Sequence, residues 1–244
     1  LAIHRLMHPL LGLKRAASGT LELSAKRGTE GTQTESWIHL EIDRISDAQQ
    51  LEALRTEIAD ALADVRAAVE DFGTMREKTA TAIADLELSP RDENGEIAEF
   101  LRWMAVENFV FLGYAHYSID GATKELKRAP DGGLGLLRRE DHPRFGRCCA
   151  GIPGGLEEIS SHPSALTLVK ADGRSTVHRP GYLDFIGVVH RDAAGNIVGE
   201  HVFVGLYAAH VYHISTKEIP VVRGKVKAVR AACGFAPGSH NDKT

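Results

Sequence analysis

The chain has 244 residues, 43% of them apolar and 25% charged, with a formal net charge of −4. That length suffices for one large or two small domains with their own cores. The charge excludes the overall basic character of a nucleic-acid or anionic-membrane binder. No apolar run reaches the roughly 20 residues that a membrane-spanning helix needs.

The sequence opens Leu1-Ala2-Ile3-His4-Arg5-Leu6-Met7, without an initiator Met. It also lacks the charged, long apolar and small-residue parts of a signal peptide. The opening reads like the inside of a strand, so the chain is expected to be a fragment of something longer. Residues 9–13 predict a strand, and residues 20–23 after Gly19 its hairpin partner. Residues 28–34, polar and rich in Gly and Thr, predict a mobile loop. Residues 36–42 alternate strictly, with Ile38, Leu40 and Ile42 on one face, which predicts one half-buried strand.

Ser46 and Gln49 have capping-box spacing and predict a helix start. Leu51, Leu54, Ile58, Leu62, Val65, Val69 and Phe72 follow at intervals of three and four. The spacing predicts a long amphipathic helix whose stripe packs on the preceding sheet, or meets another subunit as a coiled-coil seam. Gly73 is a candidate interruption, with a second helix over residues 75–88. Residues 89–95, polar, Pro-broken and Gly-ended, are the best domain boundary.

Beyond it, Ile97, Phe100, Leu101 and Met104 mark a helix over residues 96–107. Strands are predicted over residues 109–119, 134–138, 166–170 and 175–178, and over 183–190 and 200–207 around the hairpin signal at 192–195. Residues 140–162 predict an irregular loop. Pro220 opens a last helix with Val221, Val222, Val226 and Val229 inward, ended by Cys233-Gly234.

Chemistry is sparse. Cys148, Cys149 and Cys233 lack metal-ligand spacing and predict free thiols in a reducing cytoplasm. His210 and His213 are three apart, and His190 and His201 lie on two arms of one predicted hairpin, but no recognised zinc spacing occurs. No metal site is expected. The glycines at 132, 133 and 135 precede no helix, so no dinucleotide cradle is expected either. Ser175 with His178, and Ser239 with His240, lack an orienting acid, so no catalytic residue is assigned.

Residues 174–184 remain. Arg174, His178 and Arg179 can hold a carboxylate, the usual task of a bidentate guanidinium. Alternatively Arg179 pairs with Asp184, or with another subunit, and fixes the loop. Tyr182 and Tyr207 are expected in the core, each with one wet hydroxyl. The candidate effector or interface set is therefore Arg174, His178, Arg179, Tyr182, Asp184 and Tyr207.

Several blocks resemble one family. They are Ile3-His4 with His8-Pro9 and Leu13-Lys14-Arg15; residues 37–44; Glu99-Phe100-Leu101-Arg102-Trp103 with residues 109–114; residues 174–188; and residues 205–239. In this order they are similar to the non-catalytic N-terminal region of the large bacterial NAD-specific glutamate dehydrogenases.

The resemblance implies an α+β fold. Residues 1–90 would be a truncated ACT-like domain with a helical extension, its first strand and helix lying before Leu1. Residues 95–240 would be a mixed α/β, PAS-like domain with an antiparallel sheet, and 241–244 a tail. It further implies a parent enzyme that oxidatively deaminates L-glutamate to 2-oxoglutarate and ammonium with NAD. This segment would be inactive and bind neither NAD nor another cofactor. Its partners would be the catalytic domain, other subunits of a homo-oligomer and an amino-acid effector, with no nucleic acid and no membrane.

Departures occur at Ala208-Ala209, where the family usually has Thr-Ser, at Gly224 in the last helix, and at Asn241-Asp242. A free-standing amino-acid-binding module is the competing reading.

Overall fold

A computed structural model describes residues 2–123, 125–139 and 164–234. The predicted loop at 140–162 with Cys148 and Cys149, the Ser239-His240 pair and the tail 241–244 lie outside the described residues. The chain forms two compact units, Leu1–Glu57 and Ile58–Thr244.

The first unit carries two small antiparallel sheets. β1 (Ile3–Met7) pairs with β5 (His39–Ile42), and β2 (Leu10–Arg15) lies between β3 (Leu21–Lys26) and β4 (Gln33–Ser36). The β2–β3 hairpin is as expected, closed by Ala16 N donating to Thr20 O at 2.9 Å. The strand expected over residues 36–42 is two strands. Trp37 N turns aside to Pro9 O, so residues before it pair with β2 and residues after it with β1. Leu13 is buried, whereas Ile3, Leu6, Met7, Trp37, Ile38 and Leu40 are exposed.

Helix α1 (Ala48–Leu88) runs unbroken for 41 residues. Its cap is Asp47, whose Oδ1 accepts from Gln49 N at 2.8 Å, in place of the Ser46–Gln49 box. Gly73 does not interrupt it. A Cβ there would touch nothing within 4 Å, so the glycine costs only propensity, which strong helix formers on both sides outweigh. The expected apolar stripe is not the buried face. Leu51, Ile58, Leu62, Val65, Val69 and Phe72 are exposed, while Asp64, Ala68, Met75, Thr79, Ala82 and Leu86 are buried. The same three-and-four spacing continues along the helix, but the packed partner lies under its later turns.

The residues read as a boundary, 89–95, are a tight turn inside the second unit. Asn94 Nδ2 donates to Leu86 O at 2.7 Å and to Ser89 O at 3.0 Å, satisfying carbonyls that the end of α1 leaves open. α2 (Asn94–Trp103) then buries Ile97, Phe100 and Leu101, and a π-helical turn (Met104–Asn108) leads into the sheet.

That sheet is antiparallel and five-stranded: β6 (Phe109–Ile119), β7 (Leu126–Gly135), β8 (Leu166–Arg174), β9 (Tyr182–Arg191) and β10 (Ile197–Tyr207), in the order β7-β6-β10-β9-β8. The strand expected at 134–138 ends at Gly135. Its true span begins earlier, on an edge that tolerates Pro130. The strand expected at 175–178 is instead the β8–β9 loop, drawn tight by Ser175 N to Gly181 O at 2.8 Å. The β9–β10 hairpin turns at Asp192, as expected.

One face packs Met75, Phe100, Met104, Phe111, Ile186 and Phe203 into a core with α1 and α2. The alternate residues Val202, Val204 and Leu206 join Leu112, Leu183 and Phe185 in a second cluster. Of the valines expected inward on the last helix, α3 (Val222–Cys233), Val221 just before it packs against the core, whereas the helix itself buries no residue and Val229 is 62% exposed. It is held instead at its start. Val221 N donates to Glu96 Oε2 at 2.9 Å, and Arg223 bridges Glu96 and Glu99. Gly234, left-handed at φ +65°, ends it as expected. No described helix is long and apolar enough to cross a membrane.

Candidate functional site

The β8–β9 loop brings most of the arginine set together. Arg174 and Tyr182 are cross-strand partners in the register, and the Arg174 guanidinium stacks 4.9 Å over the Tyr182 ring. Tyr182 is 50% exposed, so it covers the surface and not the core. Arg179 Nη2 donates to Tyr207 O at 3.0 Å and to Tyr212 Oη at 3.2 Å, with the guanidinium 5.6 Å from the Tyr212 ring. Tyr207 itself packs against Trp103 and Phe109, and burial pushes its hydroxyl above the ordinary tyrosine range.

The Arg179–Asp184 pair does not form. Asp184, buried beside β8, pairs with Lys170 at 2.7 Å, because residues 170 and 184 face each other in the β8–β9 register. His178 is exposed and left-handed at φ +69°, so it marks the loop apex. Lys170, Ala171, Arg179, Gly181 and Tyr182 line an open cavity of about 490 Å³. A Cβ at Gly181 would come 3.2 Å from Arg179 Nη1, so the glycine leaves the guanidinium its place. Two cationic side chains and an aromatic face around such a cavity suit a small carboxylate.

A second constellation was not visible in the sequence as a set. His116 on β6, His190 on β9 and His201 on β10 stand on one face of the sheet, their ligating nitrogens within 4.8 Å of one another. The register explains it: His201 sits opposite His116, and His190 sits opposite Gly199, two residues from His201. Asp85 of α1 closes the group, its Oδ2 2.8 Å from His201 Nε2 and 3.7 Å from His190 Nε2. Tyr114 Oη lies 2.9 Å from His201 Nδ1. Burial first, then the neighbouring His116, hold His201 well below the ordinary imidazole range.

No sequence motif marks His116. Its only signal was its period-two relation to Tyr114 within the strand, because the three histidines span residues 116–201 with no local spacing. His210 and His213 do not join them. They lie in a 3₁₀ turn (Ala209–His213), not a strand, with His210 Nε2 2.9 Å from Asn108 Oδ1.

On the opposite face Glu200 is 1% exposed, and burial pushes its carboxyl up to about 7. The glycine cluster before residue 136 serves packing: a Cβ at Gly135 would meet Leu112 O at 2.1 Å. Ser175 Oγ donates to Val177 O at 2.7 Å, which commits that hydroxyl to the turn.

Residues 1–58 match the glutamate dehydrogenase ACT1 domain family. Over its whole length the chain is 32% identical to an NAD-specific glutamate dehydrogenase of Halomonas elongata, spanning 16% of that protein. Over 99% of its length it is 31% identical to the Pseudomonas aeruginosa enzyme of the same name, spanning 15% of it. Over 97% of its length it is 23% identical to the Mycobacterium tuberculosis enzyme of that name, spanning 14% of it.

Proposed function

From a chain that opens with a glutamate dehydrogenase ACT1 domain and is similar throughout to a segment of the NAD-specific glutamate dehydrogenases, we propose a non-catalytic regulatory and assembly segment of such an enzyme. The parent reaction is the oxidative deamination of L-glutamate to 2-oxoglutarate and ammonium, with NAD bound elsewhere in the parent. The observation that carries this reading is the end-to-end similarity to about 15% of each relative's length.

Two features support the finer parts. The exposed row Ile58, Leu62, Val65, Val69 and Phe72 on α1 offers an apolar helix face for a subunit contact. The Lys170–Arg179 cavity offers a carboxylate site for an amino-acid effector, which would act by favouring one arrangement of the assembly. The antiparallel five-stranded sheet, with helices against one face, is what supports a PAS-like reading of the second unit.

An assay of this chain alone tests the non-catalytic claim. No glutamate-dependent reduction of NAD is expected, and a measurable rate refutes it. The cavity also favours a second reading, a free-standing amino-acid-binding module. An open reading frame running on into a Rossmann-type glycine fingerprint decides for the first reading, and a stop codon directly after Thr244 for the second.

A further inference from the structure

We propose that His116, His190 and His201 form a binding site for one divalent transition-metal ion of the zinc class across the three strands β6, β9 and β10, with Asp85 of helix α1 beside His201 as an added oxygen donor. The inference rests on this geometry and not on the reading of the parent enzyme.

The spacing is that of a coordination shell. Imidazole nitrogens hold zinc at about 2.0–2.1 Å, which sets neighbouring ligands of a tetrahedron about 3.3 Å apart. His190 Nδ1 and His116 Nε2 are 3.3 Å apart, and Asp85 Oδ2 lies 2.8 Å from His201 Nε2. The 3.7 Å approach of Asp85 to His190 is to its other ring nitrogen, Nε2, so the shell closes on the three imidazoles with Asp85 beside His201. The ring centroids are 4.6 Å apart for His116–His201, 5.5 Å for His116–His190 and 5.6 Å for His190–His201, so the three rings form one close group.

The chemistry of the donors selects the ion. Three imidazoles and one carboxylate suit zinc, cobalt or nickel, whereas calcium and magnesium prefer shells built of oxygen. The carboxylate supplies one negative charge against the ion's two, and the imidazoles bind in their neutral form.

The surroundings resemble a built site. Tyr114 Oη engages His201 Nδ1 at 2.9 Å and so orients Nε2 inward, the outer hydrogen bond that metal-bound histidines usually have. A Cβ at Gly199 would meet Tyr117 O at 2.2 Å and His116 Nε2 at 3.2 Å, so the close strand pairing requires glycine there and also leaves room beside that nitrogen. Side-chain exposures of 3% for His201, 20% for His190 and 21% for Asp85 shield the centre but leave a way in.

The test uses the purified chain after chelator dialysis. Titrated Co²⁺ is expected to give the visible d–d absorption of a four-coordinate site, saturating at one ion per chain and discharged by Zn²⁺. Zn²⁺ is also expected to raise Tm, as any ligand of the native state does. H116Q and H190Q alter half-buried rings and should weaken Co²⁺ binding by roughly 100-fold or more, and Tyr114→Phe by about 10–100-fold. His210→Gln should leave binding unchanged.

Absence of Co²⁺ uptake by the folded chain, or equal affinity in H116Q, H190Q and the unsubstituted chain, overturns the proposal. Should a substitution unfold the chain, imidazole ¹H–¹⁵N spectra of the unsubstituted chain decide instead. Zn²⁺ must then perturb His116, His190 and His201 and leave His210 in place.

Discussion

Arg138 grips Asp71 in a fork, Nε to Oδ2 at 2.6 Å and Nη2 to Oδ1 at 2.8 Å, and the same Oδ2 accepts from Gly135 N at 2.7 Å. One carboxylate on α1 thereby fixes the turn that follows β7.

The Arg138 guanidinium holds the Asp71 carboxyl below the usual carboxylate range. A lowered folded value means that the contribution is complete above the unfolded value of about 3.9 and is lost as pH falls through the folded one. D71N should therefore cost about 1–2 kcal/mol at pH 7, an amount moderated by the exposure of Arg138. Below about pH 4 the unfolding midpoints of D71N and the unsubstituted chain should converge. A constant gap down to pH 2 would refute the assignment.

Glu200 works in the opposite sense. Its carboxyl is pushed up to about 7 by burial, and its Oε2 has no hydrogen-bond partner among the described residues. The unfolded chain ionises it near 4.3, so it lowers stability progressively as pH rises from about 4.5 to 7, after which the penalty is constant. Relative to the unsubstituted chain, E200Q should gain on the order of 3 kcal/mol across that window. Parallel Tm–pH curves for the two proteins would sink the idea.

The open row on α1 is exposed, so substituting it tests the proposed subunit contact with little effect on folding. Val69 is 69% and Ile58 46% exposed, so I58E and V69E should change unfolding free energy by no more than about 0.5 kcal/mol. Sedimentation should show weakened self-association, in this chain or in a parent enzyme that carries it. Unaltered association of the doubly substituted protein would remove this face from the interface.

At the cavity, R179M should abolish any rise in Tm given by an amino acid that stabilises the unsubstituted chain. Its own Tm should fall by a few degrees, since Tyr207 O and Tyr212 Oη lose a donor. An undiminished ligand-induced shift in R179M would place the effector elsewhere.

Local patterns predicted much of the chain. The β2–β3 and β9–β10 hairpins, the buried face of α2 and the glycine stop of α3 follow from residues close in sequence, where turn chemistry and period decide. The arginine loop was legible as a cationic cluster, but its pairings were not. Whether Asp184 meets Arg179 or Lys170 depends on strand register, which no short stretch contains.

The helix shows where such reading stops. Hydrophobic spacing marked residues 51–72 and 75–88 as helical, because the helix period is intrinsic to the backbone, but not that one helix, Ala48–Leu88, runs through Gly73. It did not establish which residues are covered, because coverage needs a partner surface: Val69 stays open while Met75 is sealed.

The histidine cluster lies wholly on the tertiary side of that line. Motif order sufficed for a likeness to one enzyme family, since each block is written in neighbouring residues, whereas the boundary expected at residues 89–95 falls inside the second compact unit. Bringing His116, His190, His201 and Asp85 to one point took three strands in register and a helix across them. That is a long-range arrangement, set by packing.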